Sequence, residues 1–65
     1  MAVAKVIEIL AEGKSIESAI EDGVAEASKT IKNIKSVYVE NIQASVKNGE
    51  VTRYRVNCKV TFVVD

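Results

Sequence analysis

The dipeptide Asn48-Gly49 constrains this chain more than any other feature. A two-residue type I′ turn needs positive φ at both central positions, and Asn-Gly is the pair that meets this at least cost. Apolar residues alternate clearly along the segment that follows it. Tyr54, Val56, Cys58, Val60, Phe62 and Val64 point one way, while Arg53, Arg55, Asn57, Lys59 and Thr61 point the other. The spacing predicts a hairpin with strands over Ile34 to Val46 and Val51 to Val64. With Asn48 and Gly49 as the turn, Lys47 opposes Glu50 and an uninterrupted register follows. Opposed residues share a face. One face then carries Val37, Val39, Val56, Cys58 and Val60. The other pairs Ser36 with Thr61, Tyr38 with Lys59, Glu40 with Asn57 and Ile42 with Arg55. Residues 51–64 span roughly 46 Å when extended. A compact chain of this length has a radius of gyration of about 11 Å. The hairpin therefore outruns its own globule, and its end must curl or lie against another subunit.

The first half supplies a strand and a helix. Val3 to Leu10 is an apolar run broken by Lys5 and Glu8, which predicts a strand, with Ala11-Glu12-Gly13-Lys14 as a loop. Ser15 is placed to cap a helix. Ile16, Ala19, Ile20, Gly23, Val24, Ala27 and Ile31 then follow one helical face. Ala19, Gly23 and Ala27 allow that face to approach a sheet closely. Lys29 and Lys32 suit the C-terminal pole, and Asn33 can end the helix in a left-handed conformation. The reading is an α+β chain, β-α-β-β, with residues 1–65 as a single domain.

Such a chain needs support beyond its own core. With 65 residues it buries too little apolar surface to be stable by a wide margin. One cysteine excludes an internal disulfide, and no histidine accompanies it for a zinc site. A lone thiol and no signal peptide fit a cytoplasmic protein. No apolar run is long enough to span a membrane. Nine basic and nine acidic side chains balance, which argues against nucleic acid and anionic membrane as partners. Partner subunits remain. One helix covers one side of three strands, so the other side is open. Its mixture of charges with Tyr38 and Ile42 suits a wet interface or an enclosed lumen.

Little here points to catalysis. Gly13-Lys14-Ser15 resembles the end of a phosphate-binding loop, but Glu8 stands where that motif needs its first glycine. Cys58 lies on the apolar face as a packed thiol, and without histidine it has no base to activate it. Glu17, Glu21, Asp22 and Glu26 crowd one helix face, but a calcium cage needs six to eight oxygens that such a face does not supply alone. Arg53, Arg55 and Lys59 form a basic stripe, expected to pair with Glu40 or Glu50 across subunits. No catalytic residue and no metal ligand is assigned.

Four stretches carry a resemblance: Lys5-Val6-Ile7-Glu8-Ile9, Ser15-x-x-x-Ala19-Ile20, Ala27-Ser28-Lys29-Thr30-Ile31 and Tyr54-Arg55-Val56-x-x-Lys59-Val60-x-Phe62. In this order and spacing the chain resembles the dodecin family over essentially its whole length. The resemblance implies an antiparallel sheet of order 1-3-2 wrapped on the helix. It further implies a homododecamer forming a hollow shell, and a role in binding or storing a small ligand, without catalysis. Flavins such as riboflavin, lumichrome or FMN are the family's ligands, held between subunits. The chain departs from the family at that site. Ser36 stands where a tryptophan stacks on the flavin ring. Arg55 replaces a glutamine that bonds the ring edge, and Val63 replaces an arginine that helps to hold the phosphate. The register places Ser36, Arg55 and Val63 on the open face. Tyr38, two residues beyond Ser36, is there too, either as a displaced stacking platform or as an interface tyrosine. The alternative is a shell without flavin, with a structural or calcium-binding role.

Overall fold

The structure is a computed structural model that describes residues 3–64. Its elements are β1 (Val3–Gly13), α1 (Ile16–Ser28), β2 (Ile34–Lys47) and β3 (Glu50–Val64). The three strands form one antiparallel sheet of order β1-β3-β2, as expected. No helix among the described residues is long and apolar enough to cross a membrane.

The turn and the caps follow the local chemistry. Asn48 and Gly49 take φ values of 54° and 76°, as a type I′ turn requires. Ser15 caps α1: its Oγ accepts from the Ser18 amide at 3.0 Å, and Ser18 Oγ accepts from the Ser15 amide at 3.2 Å. The box satisfies two donors that a helix start would otherwise leave unpaired. The helix ends at Ser28, short of the expected end at Asn33. The Lys29 and Thr30 amides bond back three residues to the Glu26 and Ala27 carbonyls, so Ile31 and Lys32 lie beyond it, and Asn33 adopts a left-handed φ of 64° in the loop that follows. The Asn33 carbonyl accepts from the Val63 amide at 3.1 Å, which ties this loop to the far end of β3.

The core lies between α1 and one side of the sheet. Val56, Val60 and Ala19 are wholly buried and Cys58 nearly so. Ile9, Ala11, Ile16, Ile20, Val37 and Val39 pack around them. A Cβ built on Gly23 would lie 3.0 Å from the Ala11 Cβ and 3.1 Å from Ile9 Cδ1. The small-residue stripe of the helix is thus where α1 meets β1 most closely.

Two further expectations need correction. The segment Ala11–Gly13 is not a loop: β1 continues to Gly13, pairing Ala11 with Val56, Glu12 with Arg55 and Gly13 with Tyr54. Opposite charges at Glu12 and Arg55 favour that pairing, and the small residues 11 and 13 leave room for the helix. The hairpin register is also not uninterrupted. It shifts at the base between Ile34 and Ser36, where Lys35 is the extra residue on β2, then between Val39 and Asn41 and again between Ser45 and Val46. Glu40 is the extra residue on β2 at the second shift and Thr52 the extra residue on β3 at the third, so these two bulges cancel and the turn end returns to the expected pairs. Between the bulges, Ile42 opposes Val56 rather than Arg55, and Gln43 opposes Arg55. Asn41, not Glu40, opposes Asn57. Ile42 thereby moves to the helix side of the sheet.

The hairpin does overshoot. The molecule measures 52 × 20 × 13 Å with a radius of gyration of 13.5 Å, above the value of about 11 Å for a compact chain of this length. Beyond the Gly13–Tyr54 pair, β2 and β3 continue as a two-stranded arm with no β1 beside them.

Candidate functional site

The side of the sheet away from α1 is uncovered, and the four residues singled out there lie at different heights along β3. Ser36 is level with Thr61, and Tyr38 with Lys59. Val63 sits at the base, opposite Ala4. There it lines a hollow of about 320 Å³ with Thr30, Lys32, Asn33 and Phe62. Arg55 lies toward the arm, opposite Glu12 on one side and Gln43 on the other. Six residues of β3 separate the Ser36 and Arg55 levels, or about 20 Å. A single chain therefore does not bring Ser36 and Arg55 together. Ser36, Tyr38 and Val63 cluster near one end and Arg55 stands apart.

The Ser36 end is apolar and open. Tyr38 is 68% exposed, and Val6, on the same face two levels away across β3, is 56% exposed. Glu8 and Tyr38 flank Lys59 in adjacent strands. The Lys59 Nζ lies 3.5 Å from a Glu40 carboxylate oxygen. The bulge at Glu40 keeps that side chain close to Lys59 within one subunit, where pairing across subunits had been expected.

The Arg55 end is a fork of charges that the sequence reading missed. Glu12 accepts from Arg55 Nε at 2.9 Å and from Arg55 Nη2 at 2.6 Å through one oxygen. Its other oxygen accepts from Arg53 Nη1 at 2.8 Å. Both arginines are thus paired by Glu12 of the same chain. Arg55 first and Arg53 second hold the Glu12 carboxyl below its ordinary value. A lowered pKa means that these bonds stabilise the fold at neutral pH and are lost as the pH falls below the ordinary carboxylate value and through the depressed one. We expect Glu12→Gln to melt at a lower temperature than the parent at neutrality and to show less further loss across that acid range. Melting temperature against pH for the two proteins checks this.

Gln43 is the second residue missed. The bulge puts its side chain beside Arg55 on the open face. Arg55 is a donor only, whereas an amide both donates and accepts. Gln43 and Arg55 together therefore offer acceptor and donor at one level of the sheet. Apolar parity along β2 marks the bulge: Val37 and Val39 are odd, Ile42, Ala44 and Val46 even.

Two other features lie apart from the open face. Burial pushes the Cys58 thiol above its ordinary value, which suits a packed core sulfur. Among the described residues, no three His, Cys, Asp or Glu side chains gather as a metal site, the acidic residues of α1 included.

The comparisons with known proteins agree with this architecture. The family model for dodecin matches residues 3–65. The crystal structure of a mutant dodecin from Thermus thermophilus superposes with a TM-score of 0.94 at 26% identity, covering 100% of this chain and 97% of that one. Dodecin from Streptomyces davaonensis gives a TM-score of 0.92 at 25% identity, with 98% of this chain and 96% of that one covered. Dodecin from Streptomyces coelicolor shares the fold at 20% identity, with a TM-score of 0.93 over 98% of this chain and 93% of that one. None of the curated proteins matches the sequence. A β-α-β-β chain wrapped in this order, matched by the family model from residue 3 to residue 65, belongs to the dodecin family.

Proposed function

We propose that the chain assembles as a homododecameric shell that binds or stores a flavin-type small ligand on its open face, with no catalytic role. Ser36, Tyr38, Arg55 and Val63 contribute to the ligand site, and Gln43 joins Arg55 there. The observation that carries this reading is the division of the site. The Ser36 and Arg55 levels are separated by about 20 Å, so a site using both is composed from two subunits. Antiparallel packing of two open faces brings the Ser36 end of one subunit over the Arg55 end of the other. The exposed apolar groups Val6, Leu10 and Tyr38 on that face support such packing.

The substitutions tune the ligand site. Without a tryptophan at Ser36, stacking falls to Tyr38 at the next level of the face. Arg55 is engaged with Glu12, which orients the guanidinium and lowers its net charge. The uncharged Val63 brings no guanidinium to a terminal phosphate, and among the described residues Lys32 is the one cation lining that hollow. The reading therefore favours a flavin ring without a phosphate, riboflavin or lumichrome, over FMN. Titrating the three while following flavin fluorescence tests this. Quenching that is stronger for lumichrome and riboflavin than for FMN is the expected result. Absence of quenching by any of them at high micromolar protein rules out flavin storage.

A further inference from the structure

The fork at Glu12 is unbalanced in charge. One carboxylate is shared between two guanidiniums: one oxygen takes both bonds from Arg55 and the other takes the bond from Arg53. The three side chains together carry one net positive charge. Among the described residues no acid stands by to cancel it. Lys14 lines a hollow of about 250 Å³ with Glu12 and Arg53, and no second acid lines it. Glu40 is turned to Lys59, and Glu50 opposes Lys47 at the tip of the arm. The excess charge is also held in place. Glu12 grips Arg55 through Nε and Nη2, and Nη1 takes no part in that pair. Gln43 lies beside Arg55 and Ser45 beside Arg53. The open face at this level therefore offers neutral or cationic groups, apart from a carboxylate whose two oxygens are both engaged.

We propose that this fork makes the site discriminate between the charge states of a flavin ring, holding the reduced, anionic ring more tightly than the oxidised, neutral one. The inference rests on the flavin reading above and adds which state of the ring the site favours. The ring has one polar edge, on its pyrimidine part, where an imide N–H stands between two carbonyls. The opposite edge is hydrocarbon. Arg55 and Gln43 can serve only the polar edge: the Gln43 carbonyl accepts from the imide, and Arg55 donates to a carbonyl beside it. Reduction brings two electrons and one proton. The proton forms an N–H bond on the central part of the ring, and the remaining negative charge spreads over the pyrimidine nitrogen and its neighbouring carbonyl. That charge arises at the edge the fork faces. A guanidinium gains from it as a charge-assisted donor, more than a neutral amide in the same place. Charge beside this part of the ring is a lever by which a protein tunes a flavin. Ser36 acts in the same direction. The electron-rich face of an aromatic platform suits the electron-poor oxidised ring, and a serine does not supply it. The protein itself contributes no electrons. It shifts the equilibrium set by an external reductant through its unequal affinity for the two states.

The test is the midpoint potential of riboflavin bound to the protein, measured anaerobically at neutral pH by stepwise reduction with dithionite against a reference dye. The parent should raise the potential above that of free riboflavin by on the order of 30 mV, which for a two-electron couple is about tenfold tighter binding of the reduced ring. Two variants of opposite sign separate charge from structure. Arg55→Gln removes the net charge of the fork and should abolish the upward shift. Glu12→Gln doubles that charge and should enlarge the shift. Arg55→Lys keeps the charge on a different side chain and should retain most of it, so a variant that fails to fold, as judged by circular dichroism, does not decide the outcome alone. Fluorescence quenching on the same samples reports binding of the oxidised ring. Oxidised riboflavin bound by the parent at or below the free potential overturns the inference and leaves the flavin reading standing. Shifts of the same sign in Arg55→Gln and Glu12→Gln overturn it as well. If neither state of the ring binds, both readings fall.

Discussion

Gly13→Ala is expected to lower the melting temperature by on the order of 10 °C at fixed protein concentration. A Cβ at this position would stand 2.6 Å from Ser18 Oγ, 2.7 Å from the Ala19 amide nitrogen and 3.0 Å from the Ala19 Cα. Ala19 is wholly buried in the core, so its backbone has no open space to retreat into. Moving it also disturbs the Ser15–Ser18 capping box one turn away. Overpacking of this kind costs about 1–3 kcal/mol, and in a domain of this size each kcal/mol shifts the midpoint by about 4–8 °C. Gly23→Ala is the matched control. Its new methyl meets only side-chain atoms, Ala11 Cβ at 3.0 Å and Ile9 Cδ1 at 3.1 Å. The Ile9 methyl can turn aside, and alanine recovers up to about 1 kcal/mol of helix propensity. Thermal melts of the two should therefore separate clearly, with Gly13→Ala the lower. Equal midpoints would mean that the strand and the helix start are not packed as described.

Ser36→Trp is expected to tighten flavin binding by roughly ten- to over a hundred-fold. An aromatic platform contributes about 1–3 kcal/mol per stacked ring, and about 1.4 kcal/mol is tenfold in affinity. Position 36 is exposed in the subunit, so the larger side chain is accommodated without displacing core atoms. The gain should be similar for lumichrome and riboflavin, because stacking acts on the ring they share. Tyr38→Ala in the parent should act in the opposite sense, removing the remaining platform. Fluorescence titration of the three proteins with one flavin decides this. An unchanged affinity for Ser36→Trp would show that position 36 does not face the ligand.

Much of this structure was legible in the residues. Asn48-Gly49 located the hairpin, and Ser15 located the helix start, because each local conformation has a small set of residues that tolerate it. The buried positions Val56, Cys58 and Val60 followed from strict alternation along β3. The length of the hairpin announced the projecting arm. The bulges were harder to read. Those at Glu40 and Thr52 cancel, so the pairs near the turn and those from Val39 to Ser36 keep the uninterrupted register, while the middle of the hairpin and the Ile34 pair at its base are displaced. Their trace is the change of apolar parity, from Val37 and Val39 to Ile42 and Val46 on β2, and from Val51 to Tyr54 on β3. The extension of β1 was hidden by Gly13, which reads as a breaker where it in fact provides room under the helix. Glu12 was lost with it. Its role depends on sitting opposite Arg55 in an adjacent strand, a relation between residues 41 and 43 positions apart that no local pattern reports.

A short chain with one helix leaves its open sheet face and its arm uncovered. The apolar groups exposed on both are what a solitary subunit would be least expected to present to water. In the proposed assembly, copies of the same chain cover them, and the ligand site, split along the sheet, would be completed where two open faces meet.

Native mass spectrometry of the protein purified from its own host tests this most directly. The account predicts a dominant species at twelve times the 7.1 kDa chain mass, with additional mass equal to one or more flavin rings that dissociates on mild activation. A chain that appears as a monomer or a simple dimer at micromolar concentration would contradict it.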